Sequence, residues 1–312
     1  MIGVEYQMTS IDDAVNQTEA DGRISRETLG WILGFLGVLA FSFTLPFTRI
    51  ASPELGGMFV GIGRAMLAAS IALGIVLVRR DPLPARRYWW PIAIVAIGTV
   101  FGFGPLVSIA MEYVPAIHGV VVVGLLPAAT AIMAVLRAGE RPGPAFWLAC
   151  GAGVVAVLIF AIAQGAGRLQ GADLLLLAAV LLAALGYAEG GRLSREMAGW
   201  QVICWALVFS IPILAILTAT IVATGGMPQG SGDAWLSFLY LGSISMLIGF
   251  FPWYKGLALG GVARVGQIQL VQPVMSLIWA WAMLGEHISL GAALASILVI
   301  ASAALSRLTR NR

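Results

Sequence analysis

The chain has 312 residues, of which 60% are hydrophobic and only 11% charged, and its mean hydropathy is +0.94. A soluble domain is about half apolar and a quarter charged, so this composition excludes a soluble protein and indicates a membrane protein. The net charge of +3 does not predict nucleic-acid binding, because the arginines are scattered singly between apolar runs.

The first 28 residues are polar and acidic and contain no apolar run. They also lack the basic start and the small-residue cleavage site of a signal peptide. We therefore expect residues 1–28 to form a short disordered tail in the cytosol.

From Leu29 onward, the chain is a series of apolar runs of about twenty residues, which is the length a helix needs to cross a bilayer. Arginine, glycine and proline mark the breaks between the runs. We predict an all-α polytopic membrane protein with ten transmembrane helices. The predicted spans are 29–48, 55–78, 89–111, 116–136, 143–163, 173–191, 200–223, 235–257, 262–284 and 289–306.

Lysine and arginine are distributed unevenly between alternate connections. With the N-terminus inside, the cytosolic segments hold fifteen of them, and the outer segments hold only Arg49 and Arg168. The positive-inside rule then predicts that both termini are cytoplasmic and that the chain lies in the cell (inner) membrane.

One stretch of the chain occurs twice. Val114–Leu158 aligns without a gap with Gly260–Ala304, at an offset of 146 residues. A repeat this long indicates two half-proteins rather than many stacked units. Within it, Pro127 matches Pro273 and Glu140 matches Glu286. Carried further back along the chain, the same offset puts Phe41 on Tyr187 and Arg49 on Arg195.

The repeat divides the predicted spans into residues 29–163, with spans one to five, and residues 164–308, with spans six to ten. Because five is odd, the second half enters the membrane from the opposite side. Two inverted five-helix repeats are typical of secondary transporters, whose solute site lies near the midplane where the halves meet.

The two Pro-x12-Glu blocks, with apolar runs on both sides, resemble the paired domains of the EamA family in the drug/metabolite transporter superfamily. Arg64 and Tyr187 also stand where that family carries such residues, and the resemblance extends from about Leu29 to Leu308. It implies a central cavity lined by spans one to four and six to nine, with spans five and ten outside them. The family's activities include export of amino acids, metabolites and drugs, and uptake of vitamins and other metabolites.

On predicted span nine, Gln269, Gln272 and Ser276 share one face of a helix. Amides inside a membrane need partners on another helix or in a wet cavity, so we expect this face to bind substrate. Trp279, one turn further on, could stack on an aromatic or cationic solute, or could fill space between helices.

Ionisable residues inside a membrane are costly, and each is therefore a candidate for function. Arg64, about ten residues into span two, could bind an anionic group such as a carboxylate, or could satisfy helix-end carbonyls. Glu189, two residues after Tyr187, could bind an amine or take up a proton. Alternatively, it pairs with Arg192 one turn further on.

Four residues are candidates for gating. His118 and Arg264 are repeat equivalents at the outer start of span four and the inner start of span nine, where they could gate opposite mouths or have a structural role. Snorkelling to the headgroups is the structural alternative for Arg264. Pro127 and Pro273 interrupt matching spans, either as hinges or as static kinks.

Two further pairs are interpreted as structural. We expect Glu140 and Glu286 to stabilise the positive start of the span that follows each of them. Cys150 and Cys204 lie in apolar runs outside any metal-binding spacing, and we expect both to be small core residues.

The sequence also excludes several kinds of chemistry. Lys255 is the only lysine and no Walker A motif precedes it, so ATP hydrolysis by that route is excluded. His118 and His287 belong to no HExxH motif, and no nucleophile motif surrounds Ser243 or Ser245. We therefore predict that the chain is not an enzyme and uses no metal or cofactor.

These observations predict a secondary transporter that moves a small organic solute, namely an amino acid, metabolite or drug-like compound, by alternating access. Export is the leading direction, driven by the solute gradient or by exchange with protons. An uptake carrier for a vitamin or other metabolite is the alternative, and a membrane-embedded enzyme is a distant one. The predicted partners are the solute and the lipid bilayer, with the oligomeric state left open.

Overall fold

The computed structural model describes residues 25–144 and 171–285, and between these two ranges only residues 147, 148, 151, 152 and 155. All regular elements in this part of the chain are helices. Several predictions lie outside it, namely residues 1–24 of the predicted tail, most of span five, all of span ten, Cys150, Glu286 and His287. Residues 26–28, which were predicted to belong to the disordered tail, are helical.

The α-helices are numbered here in chain order, and each range is as observed. They are α1 (Arg26–Ser42), α2 (Thr44–Leu55), α3 (Gly57–Arg79), α4 (Trp89–Val95), α5 (Gly104–Tyr113), α6 (Ala116–Val123), α7 (Leu126–Ala138), α8 (Gly171–Leu193), α9 (Gly199–Gly225), α10 (Gly232–Tyr240), α11 (Phe250–Gly260), α12 (Val262–Gly266) and α13 (Gln272–Leu284). Short 3-10 helices cover Arg86–Tyr88 and Gln267–Val271, and π-helical turns cover Ala96–Phe103 and Leu241–Ile248.

Six helical stretches among the described residues are long and apolar enough to cross a membrane. They coincide with predicted spans one, two, three, six, seven and eight, which makes the protein a multi-pass membrane protein. The six stretches are Arg26–Leu55, Gly57–Arg79, Arg86–Tyr113, Gly171–Leu193, Gly199–Gly225 and Gly232–Gly260.

The first span is longer than predicted. The Oγ of Ser25 accepts a hydrogen bond from the N–H of Thr28, which caps the start of α1. After a single non-helical residue, Phe43, the chain continues as α2 and passes through Pro53 before it ends at Leu55. The predicted end at residue 48 was therefore wrong by about two turns.

Predicted spans four and nine are both interrupted, as their prolines indicated. Pro127 is the second residue of α7, and two residues outside either helix separate α7 from the end of α6. Pro273 is likewise the second residue of α13, which follows a 3-10 turn. A proline fits the first turn of a helix because its missing N–H would have no partner there. At the other ends of these helices, Gly139 and Gly285 adopt φ values of +66° and +65°, which favour glycine.

Glycines bring helices of the two predicted halves into backbone contact. A Cβ atom added to Gly256 on α11 would lie 2.7 Å from the N of Gly34 on α1. A Cβ atom added to Gly98 would lie 2.7 Å from the N of Gly186 on α8. Small residues permit such close approach inside a membrane, where packing rather than the hydrophobic effect drives helix association. These contacts position the residues of the site.

Candidate functional site

Arg64 is a buried cation without a partner in the described part of the chain. It lies on α3, and only 2% of its surface is exposed. Its guanidinium rests on Gly104, where an added Cβ atom would lie 2.9 Å from an arginine Nη. No hydrogen bond or ion pair to Arg64 is found among the described residues, and its buried Nε lacks an acceptor there. An arginine keeps its charge in proteins, so this burial is costly unless an anion binds.

Arg64 faces a pocket, here called the central pocket, that is lined from both predicted halves of the chain. Phe41 and Tyr187, which the repeat pairs at an offset of 146 residues, stack across it with ring centroids 6.2 Å apart and planes 14° apart. Phe250 packs on Phe41 with centroids 4.9 Å apart, and Phe103 completes the aromatic part of the wall.

The polar part of the wall consists of hydroxyl and amide groups. Thr44 and Ser245 share a hydrogen bond of 2.7 Å, and Thr99 donates to the carbonyl of Val95 at 2.8 Å. Gln272 is the amide in the wall. The volume open to the centre of a water molecule is ≈ 20 Å³, which is room for about one water. A solute of several heavy atoms therefore enters only if the surrounding helices move apart.

A second, smaller pocket lies beside the central pocket, and it holds three of the predicted site residues, Gln269, Gln272 and Ser276. All three side chains border this one pocket, with Gln269 on the 3-10 turn Gln267–Val271 and the other two on α13. The Oε1 of Gln269 accepts a hydrogen bond of 3.3 Å from Thr130, and its buried Nε2 has no partner among the described residues. Gln272 borders both pockets.

Trp279 lies outside both pockets, in a group of rings here called the aromatic cluster. Its ring stacks on Phe43 with centroids 4.3 Å apart, and its Nε1 donates to the Oγ of Ser42 at 3.0 Å. Phe47 and Tyr240 complete the cluster, with centroids 4.6 Å apart. In this conformation the tryptophan fills space between helices, which is one of the two roles expected for it.

Glu189 is fully buried and held by two arginines, which with Glu196 form a group here called the ion cluster. Arg192, one turn further on, donates to Oε1 at 2.6 Å, and Arg137 of α7 donates to Oε2 at 3.0 Å. Glu196 lies 3.4 Å from Arg192 and is more exposed. Pairing with Arg192 was one of the two alternatives for Glu189, while the partnership with Arg137 was not predicted.

The ion cluster and the aromatic cluster are related by the repeat through one pair of equivalent residues. Glu189 stands 146 residues after Phe43, so one half carries a carboxylate where the other carries a ring. Arg137 is likewise equivalent to Met283. The two related halves therefore differ in chemistry two residues beyond the stacked pair, Phe41 and Tyr187.

The two basic gating candidates have different surroundings. The Nε2 of His118 contacts the carboxylate of Asp173 at the start of α8. Arg264 on α12 is exposed, as snorkelling would require. Neither residue lines the central pocket or the smaller pocket beside it.

Glu140 was expected to stabilise the start of the following span, most of which lies outside the described residues. Its carboxylate accepts hydrogen bonds from the backbone N–H groups of Val262 and Ala263, at 2.8 and 2.7 Å, in the other half of the chain. Arg195 donates to the same carboxylate at 2.6 Å. The helix start is thus satisfied by an acid that is distant in sequence, which periodicity could not reveal. Cys204 is a buried free thiol, as expected.

Sequence reasoning missed most of the pocket's wall. Thr44, Thr99 and Ser245 are small polar residues inside apolar spans, and this was the available signal. Phe103 and Phe250 gave no signal, because aromatic residues are common in every span.

Comparison with known proteins identifies the family. The model of the EamA-like transporter family matches the chain twice, over residues 28–162 and 170–308. The chain belongs to the EamA-like transporter family. This confirms the resemblance seen in the Pro-x12-Glu blocks.

Relatives of this EamA-like chain are also named as transporters. It is 43% identical over 284 residues to "Uncharacterized transporter YdeK" of Bacillus subtilis (strain 168), covering 91% of this chain and 99% of that protein. It is 26% identical to a "Probable terminal-alkyne amino-acid exporter" of Streptantibioticus cattleyicolor, covering 82% of this chain and 85% of that one. A solved crystal structure that shares 21% identity covers 91% of this chain and all of its own, with a TM-score of 0.68, which establishes a shared fold.

Proposed function

We propose that this EamA-like protein is a secondary transporter that exports a small organic solute across the cell (inner) membrane by alternating access. The observation that carries the proposal is the central pocket, which both halves of the chain line around the stacked pair Phe41 and Tyr187. A site shared by two related halves is what a rocking mechanism requires, since each half can uncover it from one side.

The proposed architecture is ten helices in two inverted repeats, residues 29–163 and 164–308, with both termini in the cytoplasm. In such an arrangement, the ion cluster at Glu189 and the aromatic cluster at Phe43 lie toward opposite mouths of the central pocket. The charge distribution puts the ion cluster on the cytosolic side. One mouth then closes through ion pairs and the other through stacked rings.

Residue roles follow from these positions. Arg64, Tyr187 and Gln272 bind the solute in the central pocket, while Gln269 and Ser276 extend the site into the smaller pocket. Trp279 and Glu189 act as parts of the two closing clusters rather than as primary ligands of the solute. His118, Arg264, Pro127 and Pro273 are proposed to act in gating.

An amino acid or a related metabolite is the proposed solute. The name of the relative from Streptantibioticus cattleyicolor supports both this class and the direction of transport. The solute gradient or exchange with protons supplies the driving force, and the lipid bilayer is the other required partner.

Counterflow in proteoliposomes tests the proposal. Vesicles loaded with a pool of amino acids should take up an external labelled member of that pool in a saturable manner, and empty vesicles should not. Absence of exchange with amino acids, organic acids, amines and vitamins would contradict a transport function. Turnover of a lipid or peptide by the same preparation would favour the enzyme alternative.

A further inference from the structure

We propose that Arg64 binds the carboxylate of the transported solute and that the central pocket selects small organic acids with an apolar body, amino acids included. This inference rests on the proposed function and specifies its substrate class. It starts from the buried guanidinium of Arg64, which lines the central pocket and has no hydrogen-bond partner among the described residues.

The Asp and Glu side chains of the described residues either bind other groups or do not line the central pocket. Glu112 binds the backbone N–H of Gly57, Glu140 binds the start of α12, and Glu189 binds two arginines. No aspartate or glutamate lines the central pocket among the described residues. Among the described residues no acid is placed to complete the coordination of Arg64, and we assign that role to an anion of the solute that enters the pocket.

The shape of the site fits a carboxylate. The planar guanidinium presents its donors in a fork that matches the two oxygens of a carboxylate, and two parallel hydrogen bonds are a strong, directional arrangement. Gly104 leaves room for the guanidinium of Arg64, because a side chain at position 104 would contact its Nη and Nε atoms.

The rest of the wall defines the remainder of the solute. Phe41, Phe103, Tyr187 and Phe250 offer ring surface to an apolar or aromatic body. Gln272 offers an amide that can accept from an ammonium or donate to a carbonyl. The described residues of the wall include no carboxylate that could neutralise a cationic solute, and Arg64 repels one. The pocket therefore selects against amines that lack an acid group.

A matched set of compounds tests this selection. Phenylalanine and phenylacetate carry a carboxylate, whereas phenethylamine and phenylalaninol keep a similar body without it. The unfolding temperature of the purified protein is measured with each compound at about 10 mM, which is enough to fill a site of millimolar affinity. It should rise with the two acids only. Equal stabilisation by the amine, or none by either acid, would overturn the inference.

Substitution of Arg64 separates binding from structure. Arg64→Met removes the charge at similar length, so stabilisation by the acids should disappear and their half-saturating concentration in counterflow should rise at least about 30-fold. The unfolding temperature of the ligand-free variant should stay the same or rise, because an unpartnered buried charge has been removed. A fall in that temperature would instead assign Arg64 a structural role.

Two further variants complete the test. Arg64→Lys keeps the charge but loses the fork, and it should restore only part of the binding of acids. Arg86→Gln removes an exposed arginine and should leave binding unchanged. If Arg64→Met still exchanges acids normally while the wild type exchanges acids and amines alike, the carboxylate site is wrong although the transport function stands.

Discussion

Glu140 accepts a hydrogen bond of 2.7 Å from the backbone N–H of Ala263, although the two residues are 123 positions apart. The same carboxylate binds the N–H of Val262 and the guanidinium of Arg195. One side chain from the first copy of the repeat thus holds the start of a helix in the second. Buried N–H groups at a helix start need an acceptor, and a carboxylate supplies one with favourable charge.

Replacing Glu140 should weaken this junction. Glu140→Ala leaves two N–H groups without an acceptor and should lower the free energy of unfolding by ~1–2 kcal/mol, as loss of a helix cap does. Denaturant unfolding of the purified protein measures the change. Arg195→Gln is the control, and it should cost less than ~1 kcal/mol because the arginine is 41% exposed. Equal losses in the two variants would mean that the ion pair, not the cap, dominates.

Glu189→Gln should destabilise the protein. The substitution leaves Arg137 and Arg192 close together without their shared anion. Both arginines are about one-third exposed and can be partly hydrated, so we expect a loss of ~2 kcal/mol rather than the 3–5 kcal/mol of a fully buried pair. Glu196→Gln, at an exposed position on the same helix end, should change stability by less than ~0.5 kcal/mol. If Glu189→Gln abolishes transport at unchanged stability, the carboxylate acts on the solute or on a proton.

Replacing either of two glycines of α3 by alanine should change the stability of the protein in opposite directions. A Cβ atom at Gly61 would lie 2.5 Å from the Cα of Pro105, which is backbone and must shift, so Gly61→Ala should cost ~1–3 kcal/mol and disturb Arg64 one turn away. Gly74 has open space around it, so Gly74→Ala should stabilise the helix by ~0.5–1 kcal/mol. Unfolding and counterflow of both variants provide the measurement. If Gly61→Ala leaves the free energy of unfolding unchanged, α3 and α5 separate easily.

Gln272→Ala should weaken transport without weakening the fold. The amide borders both pockets and makes no hydrogen bond to another described residue that its loss would break. Loss of one hydrogen bond to the solute should raise the half-saturating concentration by about tenfold. Counterflow measures this, with the exposed Gln229→Ala as the surface control. An unchanged half-saturating concentration would remove Gln272 from the binding site.

The sequence predicted the helices well wherever a simple physical rule governs them. The length of apolar runs located six membrane-length helical stretches, because lipid requires that the backbone satisfy its own hydrogen bonds. Pro127 and Pro273 predicted the interruptions of two spans, because proline removes a donor and fixes its own geometry. The repeat paired Phe41 with Tyr187, and these two rings do meet.

The sequence by itself therefore determined the membrane class, the helical stretches and the existence of two related halves, since these depend on composition and local periodicity. Only the tertiary structure decided which charges pair between distant segments, whereas the pairing of Glu189 with Arg192 at i,i+3 was an alternative that the sequence offered. Glu189 and Glu140 found partners on distant segments, whereas Arg64 found none among the described residues. The reason is physical: inside a membrane, a charge is stabilised by whichever group lies within a few ångströms, and helix packing alone sets that distance.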